Sequence, residues 1–244
     1  MLSVVIITLN EEKNVRACLE SVKWADEIIV MDSFSQDKTV EIAKQYTSKV
    51  YQHKFLGDGP MKNFGIEKAS NNWILVMDAD ERVSPELRTE IEEVLQSPQC
   101  DGYYTPYKVY FLGKWIKHCG WWPQYHLRLF RKDRGQFDDL LAHAKVVIKG
   151  KTCKLQNLML HFTCDNVSEY VNKINSHTNL IAGEKNRGSS LLKAVLHSWT
   201  RFFTMYFIKA GFLDGKEGFI VSALLSYYVF IKYLKLWEKQ RKAR

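Results

Sequence analysis

Trp73-Ile74-Leu75-Val76-Met77-Asp78-Ala79-Asp80-Glu81-Arg82 is the stretch on which the fold turns. Five apolar residues bounded by polar ones read as a short strand buried on both faces, and its carboxyl end presents two carboxylates at once. Open α/β sheets bind their ligands at that end. Asp78 and Asp80, separated only by Ala79, can turn hard oxygen atoms toward one point, a donor set suited to Mg²⁺ or Mn²⁺ bridging a diphosphate. An isolated Asp-Ala-Asp favours a plainer reading, a solvated turn before a helix that Ser84 caps and Pro85 opens. The rest of the chain changes those odds.

Upstream, residues 3–8 form a β-branched apolar run that reads as a buried first strand, and Leu9-Asn10-Glu11-Glu12 turns out of it into a helix with Val15, Leu19 and Val22 on one face. A second strand over residues 27–31 ends at Asp32, and Asp37 is placed to cap a helix over 38–46. A third strand near residues 49–52 and a loop, Gly57-Asp58-Gly59-Pro60, precede a helix over 61–69. Strands alternating with helices predict a three-layer α/β domain with a mostly parallel sheet. Thr8, Asn10, Glu11, Asp32, Asp78 and Asp80 then collect at neighbouring strand ends. Each has an ordinary role as cap or turn residue; their shared location is what marks a crevice. Neither GxGxxG nor a Walker sequence occurs, which argues against a dinucleotide fold or a P-loop NTPase.

The chain has 244 residues, 46% hydrophobic and 25% charged, enough for one sizeable domain with an appendage. Cys18, Cys100, Cys119, Cys153 and Cys164 are scattered without C-x-x-C spacing, so neither a zinc site nor a disulfide framework is expected, and a reducing cytoplasm fits. Val4-Val5-Ile6-Ile7 is short and lacks a basic leader, so no signal peptide is expected. Of the net charge of +8, residues 190–244 carry +7, with ten Lys/Arg against three Asp/Glu. A nearly neutral body thus joins a basic tail that meets something anionic.

Val4-Val5-Ile6-Ile7-Thr8-Leu9-Asn10-Glu11, Asp32-Ser33-Phe34-Ser35-Gln36-Asp37-Lys38-Thr39, Lys62-Asn63-Phe64-Gly65-Ile66 and Met77-Asp78-Ala79-Asp80, in this order, resemble the motifs of family 2 glycosyltransferases with the Rossmann-like GT-A fold. The resemblance implies that Thr8, Asn10, Glu11 and Asp32 hold the nucleoside of a UDP-sugar and that Lys62 lies near the base. It makes Asp78-Ala79-Asp80 the DXD motif, with Asp80 the direct metal ligand and Asp78 on the ribose or a metal-bound water.

Beyond a helix over residues 84–96 the texture changes. Tyr103, Tyr104, Tyr107, Tyr110 and Phe111 read as strand material and Leu127-Arg128-Leu129-Phe130-Arg131 as a central strand. Between them, Gly120-Trp121-Trp122-Pro123 suits either a core cluster or stacking on a sugar ring, so Trp121, Trp122 and Arg128 are acceptor-side candidates. Gly57-Asp58-Gly59-Pro60-Met61-Lys62-Asn63 and the segments around Gly120 and Leu127 are similar to bacterial lipopolysaccharide core glucosyltransferases that add β-linked glucose to the first inner-core heptose. That subgroup carries a Val-His-Glu element; here His143 matches its His, but Ala144 stands at its Glu. An inverting transfer needs a base for the acceptor hydroxyl. Asp138, Asp139 or His143 could serve, or catalysis is impaired; Asp139 is the expected base.

A Gly-Ser break at Arg187-Gly188-Ser189-Ser190 predicts a catalytic domain over 1–188, with a nucleotide-sugar half (1–96) and an acceptor half (97–188), and a helical tail over 189–244. The tail reads as two apolar helices, 191–212 and 218–237. Its uncharged run, residues 219–231, is shorter than the roughly 20 residues of a spanning helix. With its lysines it suits a helix lying on anionic lipid, or else a hairpin packed on protein; its hydrophobicity exceeds what nucleic acid requires. The expectation is therefore a metal-dependent glycosyltransferase, peripheral at the inner face of the cytoplasmic membrane, moving a hexose from a UDP-sugar to a lipid-linked saccharide. A catalytically weak UDP-sugar-binding scaffold and a nucleotidyltransferase are the competing readings.

Overall fold

The computed structural model describes residues 1–141, 144–184 and 189–242. The chain divides into two compact units, Met1–Tyr107 with Tyr125–His161, and Lys108–Gln124 with Phe162–Arg244, so the expected break at 188 falls inside the second.

In the first unit, β1 (Leu2–Thr8), α1 (Val15–Val22), β2 (Glu27–Asp32), α2 (Thr39–Ala43), β3 (Val50–Gln52), α3 (Asp58–Lys68) and β4 (Trp73–Asp78) alternate as anticipated. β1 is flanked by β2 and β4, both parallel to it, and Val4, Val5 and Ile6 are wholly buried. A strand covered on both faces has no polar side to offer, which is why its sequence is continuously apolar. α3 begins at Asp58, earlier than expected, because Gly57 adopts φ 117° before it and Pro60 fits the first turn. A Cβ at Gly65 would stand 2.5 Å from Val5 Cγ1, so glycine lets this helix lie against the sheet. Met61 and Ile66 join Val5, Ile29, Met31, Ile74, Val76 and Phe130 in the core beneath it.

β5 (Glu81–Val83), α4 (Pro85–Gln96) and β6 (Gly102–Phe111) follow, the last running into the second unit, where β7 (Lys114–Trp115) folds back on it. Ser84 Oγ accepts the Leu87 N–H at 3.1 Å, capping α4 as its sequence predicts. The first unit continues with β8 (Gln124–Arg131), β9 (Gly135–Phe137), β10 (Val146–Ile148), β11 (Thr152–Lys154) and β12 (Met159–Phe162), of which Gln124 and Phe162 belong to the second unit. The strand order is β3-β2-β1-β4-β8-β6-β12-β5, with β8 antiparallel to β4 and β12 antiparallel to β5. β5 had no sequence signal; three residues are too few to show periodicity. Cys100 and Cys153 form a disulfide, correcting the expectation that the cysteines stay unpaired: β11 runs parallel to the start of β6 and brings the two Cα atoms within 5.9 Å.

The second unit's tail consists of α5 (Val167–Glu184), α6 (Leu191–Phe203), a π-helical turn (Thr204–Ile208), a 3₁₀ turn (Gly211–Asp214) and α7 (Gly215–Lys242). Residues Gly211–Arg241 are long and apolar enough to cross a membrane by length and composition, a longer stretch than the uncharged run alone.

Candidate active site

The parallel register aligns the strand ends: Thr8 stands opposite Asp32, and Ile7 opposite Asp78. Asp32 is wholly buried and works as a hub. It accepts Thr8 Oγ1 at 3.0 Å, Ser35 N–H at 2.9 Å and Gln52 Nε2 at 3.0 Å, as well as the Ser35 hydroxyl. A carboxylate has about four acceptor positions, so the ends of β1 and β3 and Ser35 between them fill those of Asp32. Asn10, at φ 55°, accepts the Gln36 N–H at 2.8 Å and donates its own N–H to Ser35 Oγ at 2.8 Å. The Glu11 carboxylate accepts Asn14 Nδ2 at 2.8 Å, and Asn14 Oδ1 accepts Arg82 Nη2 at 3.1 Å, which ties the exit of β1 to β5.

At the end of β4 the chain turns tightly. The Asp78 N–H donates to Glu81 Oε2 at 3.0 Å, and the Ala79 N–H to Ile7 O at 3.2 Å. Asp78 faces inward to two cations: its Oδ1 is 3.2 Å from Lys62 Nζ, its Oδ2 3.3 Å from Arg128 Nη2. Lys62, expected near the base, is 2% exposed and also meets Asp58 Oδ1 at 2.6 Å, one helical turn away. Arg128, an acceptor-side candidate by sequence, also meets Glu81 Oε1 at 3.0 Å and donates Nε–H to the Tyr107 hydroxyl at 2.8 Å. Asp80, 7% exposed, turns the other way, its Oδ2 3.4 Å from His161 Nε2.

These contacts set the protonation states. Burial acts to raise the Asp78 pKa, but the Lys62 and then the Arg128 charges hold it below the ordinary carboxylate value. Glu81 is raised, by burial first and then by the Asp78 and Asp80 charges working against Arg128. Burial lowers His161, yet the charge of Asp80 and its hydrogen bond prevail and raise it. His126, edge-on to the Tyr107 ring at 4.7 Å, is pushed down to about 4 by desolvation and then by Arg128. It is therefore a neutral imidazole at neutral pH.

Asp58, Asp78, Asp80 and Glu81 outnumber the Lys62 and Arg128 charges set between them. No three His, Cys, Asp or Glu side chains form a metal cage among the described residues. Asp80 with His161 nevertheless makes a two-donor edge in an acidic surrounding, which fits a divalent ion taking its other ligands from a diphosphate and water.

Asp139 is exposed on the segment after β9, which docks on α3: the Asp58 and Gly59 N–H groups donate to Leu141 O and Leu140 O at 3.0 and 3.1 Å, and Asp58 Oδ2 accepts the Ala144 N–H at 2.9 Å. Asp138 accepts the Leu140 and Lys145 N–H groups and so serves the turn. His143 lies outside the described residues. In the second unit Trp121 meets Phe111 edge-on at 6.1 Å in an apolar cluster, whereas Trp122 is 36% exposed and edge-on to Trp115. Sequence reasoning missed Asp58, Glu81, Tyr107 and His161. The i,i+4 spacing of Asp58 and Lys62 could have revealed the first. His161, flanked by apolar residues in β12, carries no local signal.

Comparison with known proteins places this geometry. Residues 3–152 match the family model described as Glycosyl transferase family 2. An uncharacterized glycosyltransferase of Rickettsia typhi is 30% identical over 269 residues, covering all of this chain and 89% of that protein. The lipopolysaccharide core biosynthesis glycosyltransferase LpsC of Rhizobium meliloti is 28% identical, covering 98% of this chain and 92% of its own. S. aureus TarS resembles the structure with a TM-score of 0.50 at 15% identity, over 99% of this chain and 55% of TarS, a likeness of fold. The mostly parallel sheet is the GT-A arrangement that the sequence led us to expect. Matched over more than half its length by the family model and along its whole length by relatives, the chain belongs to glycosyl transferase family 2.

Proposed function

We propose that this glycosyltransferase moves a hexose, glucose by resemblance, from a UDP-sugar to a lipid-linked inner-core heptose of lipopolysaccharide, with inversion, at the cytoplasmic face of the membrane. The observation that carries this reading is the alignment of the Asp32 hub with the turn from Asp78 to Glu81 at adjacent ends of β1, β2 and β4. The LpsC relative, from lipopolysaccharide core biosynthesis, supports the choice of acceptor.

In this mechanism Asp32 fixes Thr8, Ser35 and Gln52 as the wall against which the uracil and ribose lie. Lys62 and Arg128 hold Asp78 ionised and pointing inward, with Asp58 and Glu81 completing their pairing. Asp80, with His161 beside it, would hold Mg²⁺ or Mn²⁺, and such an ion would supply positive charge to offset that growing on the departing diphosphate. Asp139 takes the proton of the attacking acceptor hydroxyl. Trp122 offers an exposed ring to the acceptor sugar. Residues 191–244 keep the protein on the membrane that carries the acceptor.

Calorimetric titration with UDP in the presence and absence of Mn²⁺, paired with an assay of UDP release from UDP-glucose on a heptose-containing lipid acceptor, tests the reading. Asp80→Asn and His161→Ala should each weaken Mn²⁺-supported UDP binding by about 10- to 100-fold, as loss of a ligand or its support does, without changing the metal-free titration. Asp139→Asn should bind UDP normally and release little of it. UDP binding with no transfer in the wild type would leave the scaffold reading; binding indifferent to metal in every variant would remove the ion from the mechanism.

A further inference from the structure

α6 is amphipathic in an inverted sense. Its inward positions are small: Ala194 is fully buried, Ser198 is nearly so, and Ser226 Oγ of α7 donates to Ser198 O at 2.8 Å, so the two helices approach closely. The large apolar side chains point the other way. Leu192, Leu196, Trp199 and Phe203 are 67%, 54%, 70% and 53% exposed. The surface continues past the helix end, where Phe207 meets Phe203 at 5.0 Å and is 50% exposed, followed by Ile208 at 66%. Water-soluble surfaces seldom carry so many large apolar groups together.

The charges around this face have one sign. Lys193, Lys209 and Lys216 are all exposed. The acids of the same segment are withdrawn: Asp214 is buried, accepting the His118 N–H at 2.7 Å with His118 Nδ1 at 3.0 Å, and Glu217 pairs with Lys114 at 2.9 Å. α7 is tied to its neighbours instead. Lys235 Nζ donates to Asn175 O at 2.9 Å and Thr178 Oγ1 at 2.8 Å, Lys239 Nζ to Gly183 O at 2.9 Å, and Tyr233 stacks on His197 at 4.9 Å. To cross a bilayer α7 would have to shed these contacts. It would also carry Lys232 and Lys235 toward hydrocarbon.

We propose that residues 191–214, α6 with the π and 3₁₀ turns after it, form a wedge that enters a single leaflet of an anionic bilayer. Leu192, Leu196, Trp199, Phe203, Phe207 and Ile208 enter the acyl boundary, and Lys193, Lys209 and Lys216 meet the lipid phosphates. The proposal deepens the membrane contact assigned above to residues 191–244: it names the inserted face and makes the attachment monotopic, with α7 as the brace behind it.

Flotation of the full chain with phosphatidylcholine vesicles, with and without phosphatidylglycerol, tests it. The protein should float with the anionic vesicles, and brominated lipid should quench a tryptophan emission that Trp199→Phe largely removes. Phe207→Glu combined with Ile208→Glu should lower partitioning by roughly tenfold or more, with circular dichroism and UDP affinity unchanged. Lys193→Gln combined with Lys209→Gln should lower only the preference for anionic lipid. The proposal is overturned if neither vesicle binds, if the double glutamate variant binds as the wild type does, if the protein sediments as a dimer that this variant dissociates, or if it resists alkaline extraction from membranes as a spanning helix would. Vesicle binding is measured without nucleotide, so failure to bind UDP would sink the transfer reading and leave this result standing.

Discussion

Lys62 offers the sharpest test of how the site is held together. Replacing it with Met keeps the length and removes the charge, leaving the Asp58 and Asp78 carboxylates facing each other across its place. At an effective dielectric constant near 20, a unit pair at the 3.2 Å separating Lys62 from Asp78 interacts by about 5 kcal/mol before desolvation is counted. Removing one partner of a buried pair costs about 3–5 kcal/mol. Because Asp58 and Asp78 keep 25% and 37% side-chain exposure, water screens the stranded charges and the lower end, about 3 kcal/mol, applies. For a chain of this size that is a fall in Tm of roughly 6–12 °C. Calorimetry on Lys62→Met, Asp78→Asn and the double variant separates the terms: Asp78→Asn should recover part of the loss in the Lys62→Met background, since it removes a stranded charge. An unchanged Tm in Lys62→Met, or fully additive losses in the double variant, would refute the buried three-way pairing.

Glu27 sets the acid limb of stability. Although burial opposes it, its contacts with Lys49, Ser3 and Ser70 lower its pKa from 4.5 to about 2, so its contribution is complete above about pH 4.5 and drains away as the pH falls toward 2. Glu27→Gln should cost at most about 3 kcal/mol at neutral pH and nothing near pH 2, so urea titrations of the two proteins should converge on acidification; parallel curves would exclude this role. Gly59 is a steric hinge of the segment after β9. A Cβ there would lie 1.7 Å from Asp138 O, so Gly59→Ala should displace residues 138–141, cost about 1–3 kcal/mol and expose a protease cut near Leu140; unchanged proteolysis would show that the segment does not rest on α3.

The nucleotide half was legible because its signals are local. A strand buried on both faces has to be apolar along its length, and Val4–Ile7, Ile28–Met31 and Trp73–Met77 say so without reference to anything else. Once those strands are parallel, the residues that end them, Thr8, Asp32 and Asp78, come into line. The second half was less legible. The polar partners of the site arrive from distant strands, as when β12 pairs with β5 and carries His161 past Asp80, and the antiparallel return of β8 sets Arg128 between Asp78 and Glu81. The resemblance put Lys62 near the base; that it is buried on α3 and paired with Asp58 and Asp78 is visible only in the fold.

The sequence by itself determined the fold class, the succession of nucleotide-half strands along the chain and the place where acidic groups gather, since hydrophobic periodicity and strand ends are properties of short segments. Tertiary structure alone decided which carboxylate meets a histidine and which is neutralised by cations, and which side of the tail is left bare. Composition records how apolar a helix is. Only packing records which of its faces another helix has covered, and on α6 the small residues Ala194 and Ser198 went inward while Trp199 and Phe203 stayed out.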